Sequence, residues 1–126
     1  MPRKPVIAVI DDDPEVREAL SELLQVLSLE GQTFSNAEEF LDSYKQGLFD
    51  CLITDVRMPG INGLELLSKL KAMGSDLPTI VISSSVAEET GAVALANGAL
   101  AFLRKPIEDR VLIHYLSVAL GQGGDT

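Results

Sequence analysis

Positive charge is scarce in this chain of 126 residues: Lys and Arg number 10 against 19 Asp and Glu, a formal charge of −9. That balance disfavours a nucleic-acid backbone or an anionic membrane as a direct partner and suits a basic partner surface. Cysteine is nearly missing. The single Cys51 excludes an internal disulfide and, lying in an apolar run, reads as a buried inert thiol, in keeping with a reducing compartment. The one histidine, His114, has no cysteine or second histidine near it and reads as a helix-surface residue. No apolar stretch reaches the roughly 18 residues of a membrane span, and no basic start leads into one as a secretion signal would. The chain is therefore expected to be cytoplasmic. With 46% hydrophobic residues, it is expected to form one compact domain over residues 1–126 around a single core.

The apolar residues fall into short runs separated by helical patterns. Residues 6–10 are continuously apolar and rich in β-branched side chains, the mark of a strand covered on both faces. Asp13-Pro14 starts a helix, because aspartate caps free N–H groups and proline at the first turn has none to lose. Val16, Leu20, Leu23, Leu24 and Leu27 share its inner face, leaving Glu15, Arg17 and Glu22 outside. A weaker strand is expected at 31–34, then a capping box of Ser35 and Glu38 opening a helix with Ala37, Phe40, Leu41 and Tyr44 on one side. Residues 51–54 form the next strand and deliver Asp55, followed by a breaker-rich loop to Gly63. Leu64, Leu67 and Leu70 mark another helix, with Asn62 and Glu65 available for capping. Residues 79–82 end at Ser83, Ser84 and Ser85. An alanine-rich helix over 86–97, weakened by Gly91, leads to a strand at 100–103, the exit Arg104-Lys105-Pro106 and a final helix over 108–120. Residues 121–126 are a polar, glycine-rich tail, either a terminus or the start of a linker.

Five alternations of strand and helix argue an α/β domain with a central parallel sheet and helices on both faces. Right-handed crossovers make it doubly wound, and ligands of such sheets bind outside the carboxyl ends of the strands. Asp11, Asp12, Asp55, Ser83 and Lys105 all fall at those ends.

Any one aspartate after a strand is ordinary turn chemistry, and Asp13 serves as a cap. The conjunction says more. Carboxylates crowded at ~5 Å repel by about 3 kcal/mol per pair at an effective dielectric of ~20, so such a rim calls for a cation. Mg²⁺ prefers oxygen ligands and is usually held by one or two carboxylates plus phosphate oxygens, which suits Asp11 and Asp12 beside Asp55. Asp55 is the expected nucleophile, accepting a phosphoryl group as an acyl phosphate. Lys105 supplies a point charge for one phosphate oxygen and the Ser83 hydroxyl a donor for another.

These residues carry a resemblance. Ala8-Val9-Ile10 with Asp11-Asp12, the segment from Thr54-Asp55-Val56-Arg57-Met58-Pro59-Gly60 to Asn62-Gly63, the strand ending in Ser83, and Gly98-Ala99-Leu100-Ala101-Phe102-Leu103-Arg104-Lys105-Pro106 resemble the receiver domains of two-component response regulators. The likeness covers roughly residues 5–120 and is nearest to receivers that precede helix-turn-helix output domains. It implies the flavodoxin-like receiver fold, five parallel strands in order 2-1-3-4-5 with five helices. It also implies that Asp55 takes a phosphoryl group from a phosphohistidine of a sensor histidine kinase or phosphotransfer protein. Asp11, Asp12, Asp55 and the backbone carbonyl of Arg57 would hold Mg²⁺, Ser83 and Phe102 would act as switch residues, and Lys105 would pair with Asp55 and then with the phosphate. Such a protein is a signalling switch that catalyses only its own phosphorylation and dephosphorylation. Ser83 replaces the threonine often found there, and Ser84 and Ser85 depart from the small and variable residues usual beside the phosphate.

Other readings fit less of the chain. Asp11-x-Asp13 matches the start of a haloacid dehalogenase-type phosphotransferase, but a cap and a later acidic pair are missing. A flavodoxin-like flavin binder needs a hydroxyl- and glycine-rich loop where three acids stand. An adapter that is never phosphorylated is at odds with the intact acids and lysine. The last helix carries Val111, Leu112, Ile113, Tyr115, Leu116, Val118 and Leu120, more apolar positions than one buried stripe uses, and is expected either to meet an output domain or a second copy or simply to fray at its end. No DNA-reading element lies within these residues.

Overall fold

The computed structural model describes residues 4–84 and 88–121. Ser85, the expected start of the alanine-rich helix at Val86, and the tail from Gln122 lie outside the described residues. The chain alternates β1 (Val6–Ile10), α1 (Pro14–Val26), β2 (Glu30–Phe34), α2 (Ala37–Ser43), β3 (Cys51–Asp55), α3 (Gly63–Ala72), β4 (Thr79–Ser83), α4 (Glu88–Ala96), β5 (Ala101–Arg104) and α5 (Asp109–Ala119). The strands form one sheet in the order β2-β1-β3-β4-β5, all pairs parallel, as the resemblance implied. No described helix is long and apolar enough to cross a membrane.

The continuous apolar runs are explained by burial on two faces. Every residue of β1, β3 and β4 is buried, and alternate side chains feed different cores. Ile7, Val9, Cys51, Ile53, Ile80 and Ile82 pack with Leu20 and Leu24 of α1 and Leu112 and Leu116 of α5. On the opposite face Val6, Ala8, Ile10 and Leu52 pack with Phe40 of α2 and with Leu66 and Leu70 of α3. Strand β2 lies at the sheet edge, and its sequence EGQTF has no fully buried residue.

The helix starts follow local chemistry, with corrections to the sequence reading. Asp13 caps α1 by accepting from the Glu15 amide, with proline in the first turn. The cap of α2 is Asn36, not Ser35: the Asn36 carboxamide accepts from the Glu39 amide at 2.8 Å. Glu39 in turn accepts from the N–H and hydroxyl of Ser35, leaving Glu38 for another contact. Asn62 and Glu65 form the reciprocal capping box at α3. In α3 the buried leucines are Leu66, Leu67 and Leu70, while Leu64 is half-buried beside the third cluster of Val56, Leu67, Val81, Ala94 and Ala99. Strand β5 begins at Ala101, one residue later than expected, although the Leu100 amide already donates to the Thr79 carbonyl as the chain enters the sheet.

Candidate functional site

Strands β1, β3, β4 and β5 end on one rim. The register aligns Ile10 with Thr54, Asp55 with Ile82 and Ser83 with Arg104, so the residues that follow are neighbours in space though distant in sequence. Asp11 and Ser83 are buried, and Asp55 is 6% exposed. Asp12 projects to solvent. Asp11, Asp12 and Asp55 each offer a carboxylate oxygen within 4.8 Å of the others. Across from them, Lys105 Nζ lies 2.9 Å from Asp11 Oδ2 and 3.2 Å from Asp55 Oδ2.

Backbone groups aim these side chains. Asp55 Oδ1 accepts from the Val56 amide at 2.8 Å, which turns Oδ2 toward the lysine. Asp11 Oδ1 accepts from the Asp13 amide at 2.9 Å, with the same result. The Lys105 amide donates to the Ser83 carbonyl at 2.9 Å, tying the lysine's backbone to the end of β4. Gly63 stands where only glycine fits, since a Cβ there would collide with the Asp55 carbonyl oxygen.

The charges compete. Burial, then the neighbouring Asp11 charge, pushes the Asp55 carboxyl above its ordinary range, against the pull of Lys105 and the Val56 amide. Burial by itself would lower Lys105, but Asp11 and Asp55 outweigh it and the ammonium ends above its usual value. One oxygen is left over. Asp11 Oδ2 is buried and accepts no hydrogen bond; its 2.9 Å approach to Lys105 is a charge contact without hydrogen-bond geometry. A buried carboxylate oxygen in that position, in an all-oxygen donor set, fits a hard divalent cation better than it fits the lysine alone.

The response regulator receiver domain family matches residues 7–117. The chain belongs to that family. This receiver is 38% identical over 125 residues to the transcriptional regulatory protein FixJ of Azorhizobium caulinodans, covering 99% of the chain and 59% of FixJ, so it spans about three fifths of that relative. Among solved structures it is similar to the response regulator StyR, with a TM-score of 0.88 and 34% identity over 98% of this chain and 62% of StyR. It is also similar to FixJ-N, with a TM-score of 0.83 and 30% identity over 95% of this chain and 96% of that one.

Within the receiver, Asp11, Asp12, Asp55 and Lys105 converge as expected from their strand ends. Arg57 follows two residues after Asp55 with an exposed side chain. Ser83 is buried at the end of β4. Phe102 is half-buried on β5 and packs over Gly91 of α4, where a Cβ would lie 3.0 Å from its ring. The glycine read as a weak point in that helix is the space the ring occupies. Sequence reasoning placed Arg17 outside; instead its guanidinium donates to the Asp11 carbonyl at 2.6 Å, bracing the loop that carries the acid pair. An arginine one turn after a helix-starting Asp-Pro was the available signal, and it looks the same as a solvated face.

Proposed function

We propose that Asp55 of this receiver accepts a phosphoryl group from a phosphohistidine of a sensor histidine kinase or phosphotransfer protein. An Asp55 carboxylate oxygen attacks phosphorus, the phosphorus–nitrogen bond breaks, and the imidazole leaves carrying the electron pair and takes up a proton. The product is an acyl phosphate. The observation that carries this reading is the meeting of Asp55 with two further aspartates and the Lys105 ammonium on one rim. Asp11, Asp12, Asp55 and the Arg57 carbonyl would hold Mg²⁺, which neutralises phosphoryl charge during transfer. Lys105, paired with Asp55 beforehand, holds a phosphoryl oxygen afterwards, and the Ser83 hydroxyl donates to another.

The protein is a signalling switch whose only chemistry is its own phosphorylation and dephosphorylation. Phosphorylation adds a charge of about −1.5 to −2 at the rim. Ser83 moves toward it and Phe102 turns inward, changing the surface of α4, β5 and α5. A groove of about 270 Å³ beside Lys105, lined by Val16, Leu23, Pro106, Ile107 and Leu112, supports the docking of an apolar kinase segment against the rim. Residues 1–126 form a single receiver domain, with a core over about 5–120 and with 121–126 a polar tail or the start of a linker. By analogy with FixJ, the output is transcriptional control through a region outside these residues, with the part-exposed Val111 and Val118 of α5 facing an output domain or a second copy. The whole works in the cytoplasm.

Acetyl phosphate with Mg²⁺ should add one phosphoryl group to the protein, and Asp55→Asn should abolish the addition. Intact-mass spectra showing equal labelling of the variant would overturn the assignment.

A further inference from the structure

The loop between β3 and α3 has a stem and a crest. The stem is well held: Val56 N–H donates to the Ile82 carbonyl at 3.1 Å, and Gly63 N–H returns to the Val56 carbonyl at 2.9 Å. Along the crest, residues 57–60 make no backbone-to-backbone hydrogen bond among the described residues. Their far side is instead gripped from another helix. Glu38, in the first turn of α2, accepts from the Ile61 amide at 3.2 Å through Oε2. The same carboxylate lies so close over Gly60, at φ +79, that a Cβ there would collide with it. Met58 and Ile61 rest on the α2–α3 core below. Next in the chain, the Asn62 amide is taken by Glu65 at 2.9 Å.

We infer that Glu38 is a positioning residue for the metal site, fixing the crest so that the Arg57 carbonyl points toward the acid cluster. The inference rests on the reading of that cluster as a Mg²⁺ site. Glu38 acts through one hydrogen bond on a segment that has few others, and its own place is set by the Asn36 cap and by the helix N-terminus, which favours a carboxylate there. Of the two adjacent glutamates, Glu39 closes its own helix start while Glu38 ties that helix to the loop of the neighbouring one.

The test compares Glu38→Ala with Glu38→Gln by Mg²⁺ titration calorimetry and by amide hydrogen exchange in the metal-free protein. Both variants lose the charge, but only glutamine keeps an oxygen for the Ile61 amide. The expected result is a Mg²⁺ dissociation constant about three- to tenfold weaker in E38A than in E38Q, the scale of one neutral hydrogen bond. Protection of the Ile61 amide should be lost in E38A and retained in E38Q. Equal Mg²⁺ affinity, or equal Ile61 exchange, in the two variants would overturn the clamp. Absence of Mg²⁺ binding by the unmodified protein and by Asp12→Ala alike would overturn the metal reading and, with it, this role of Glu38.

Discussion

Replacing Lys105 with methionine should destabilise the metal-free protein and at the same time tighten its hold on Mg²⁺. At 2.9 Å from Asp11 and 3.2 Å from Asp55, the ammonium gains about 5–6 kcal/mol of gross attraction from each at an effective dielectric of ~20. Much of that is returned on removal, because the lysine side chain is 21% exposed and the freed acids recover water. Breaking a buried pair costs about 3–5 kcal/mol and an exposed one under about 1, so a net loss of about 2–3 kcal/mol is expected here. Methionine keeps most of the stem and so isolates the charge. Urea unfolding in EDTA at pH 7.5 measures the deficit. Mg²⁺ at a hundredfold excess over its dissociation constant stabilises by about 2.7 kcal/mol; with the competing cation gone the variant binds it more tightly, and the deficit should close. The pH dependence has a definite sign. Asp55 already binds its proton more strongly folded than unfolded, and loss of Lys105 strengthens that preference. The metal-free deficit is thus largest above the raised Asp55 pKa and shrinks as pH falls through it, before the ordinary carboxylate range is reached. An unchanged urea midpoint in EDTA, or weaker Mg²⁺ binding by the variant, would refute the charge balance.

Two further substitutions test the supports of the rim. Gly63→Ala drives a methyl into the Asp55 carbonyl oxygen and the Val56 backbone, which cannot swing aside as a side chain would; a loss of about 1–3 kcal/mol is expected, and an unshifted thermal midpoint would show that the contact yields. Arg17→Met removes the donor from the Asp11 carbonyl while keeping an apolar stem, and should cost about 1–1.5 kcal/mol in urea unfolding; a change within error would mean that water replaces the guanidinium without loss.

Asp11, Asp55 and Lys105 were legible because each stands within two residues of the end of an apolar run, and parallel strands bring such followers to one edge whatever their separation in sequence. The α/β order was legible for the same reason: two-sided burial leaves continuous apolar runs at β1, β3 and β4. Where two neighbouring residues could do the same job, the sequence was silent. Ser35 and Asn36 both cap helices, and Glu38 and Glu39 both answer to the box motif; the structure uses Asn36 with Glu39. Arg17 and Glu38 were hidden more deeply, since a charged side chain on an outward helix position carries no mark of the carbonyl or amide it meets across a loop. Gly63 and Gly91 stand for closeness between segments, to the Asp55 backbone and the Phe102 ring respectively, and closeness is a property of pairs that no single stretch of chain displays.

Cys51 lies at the centre of the sheet with no exposure, and burial pushes its thiol up to about 12. Alkylating reagents attack the thiolate, so a folded molecule should ignore them. Labelling then happens only when β3 leaves its neighbours, and the rate of maleimide uptake becomes a clock for how often the sheet opens. Read with and without phosphoryl donor, that one native sulfur would report how far loading the rim stiffens the whole fold, with no probe introduced.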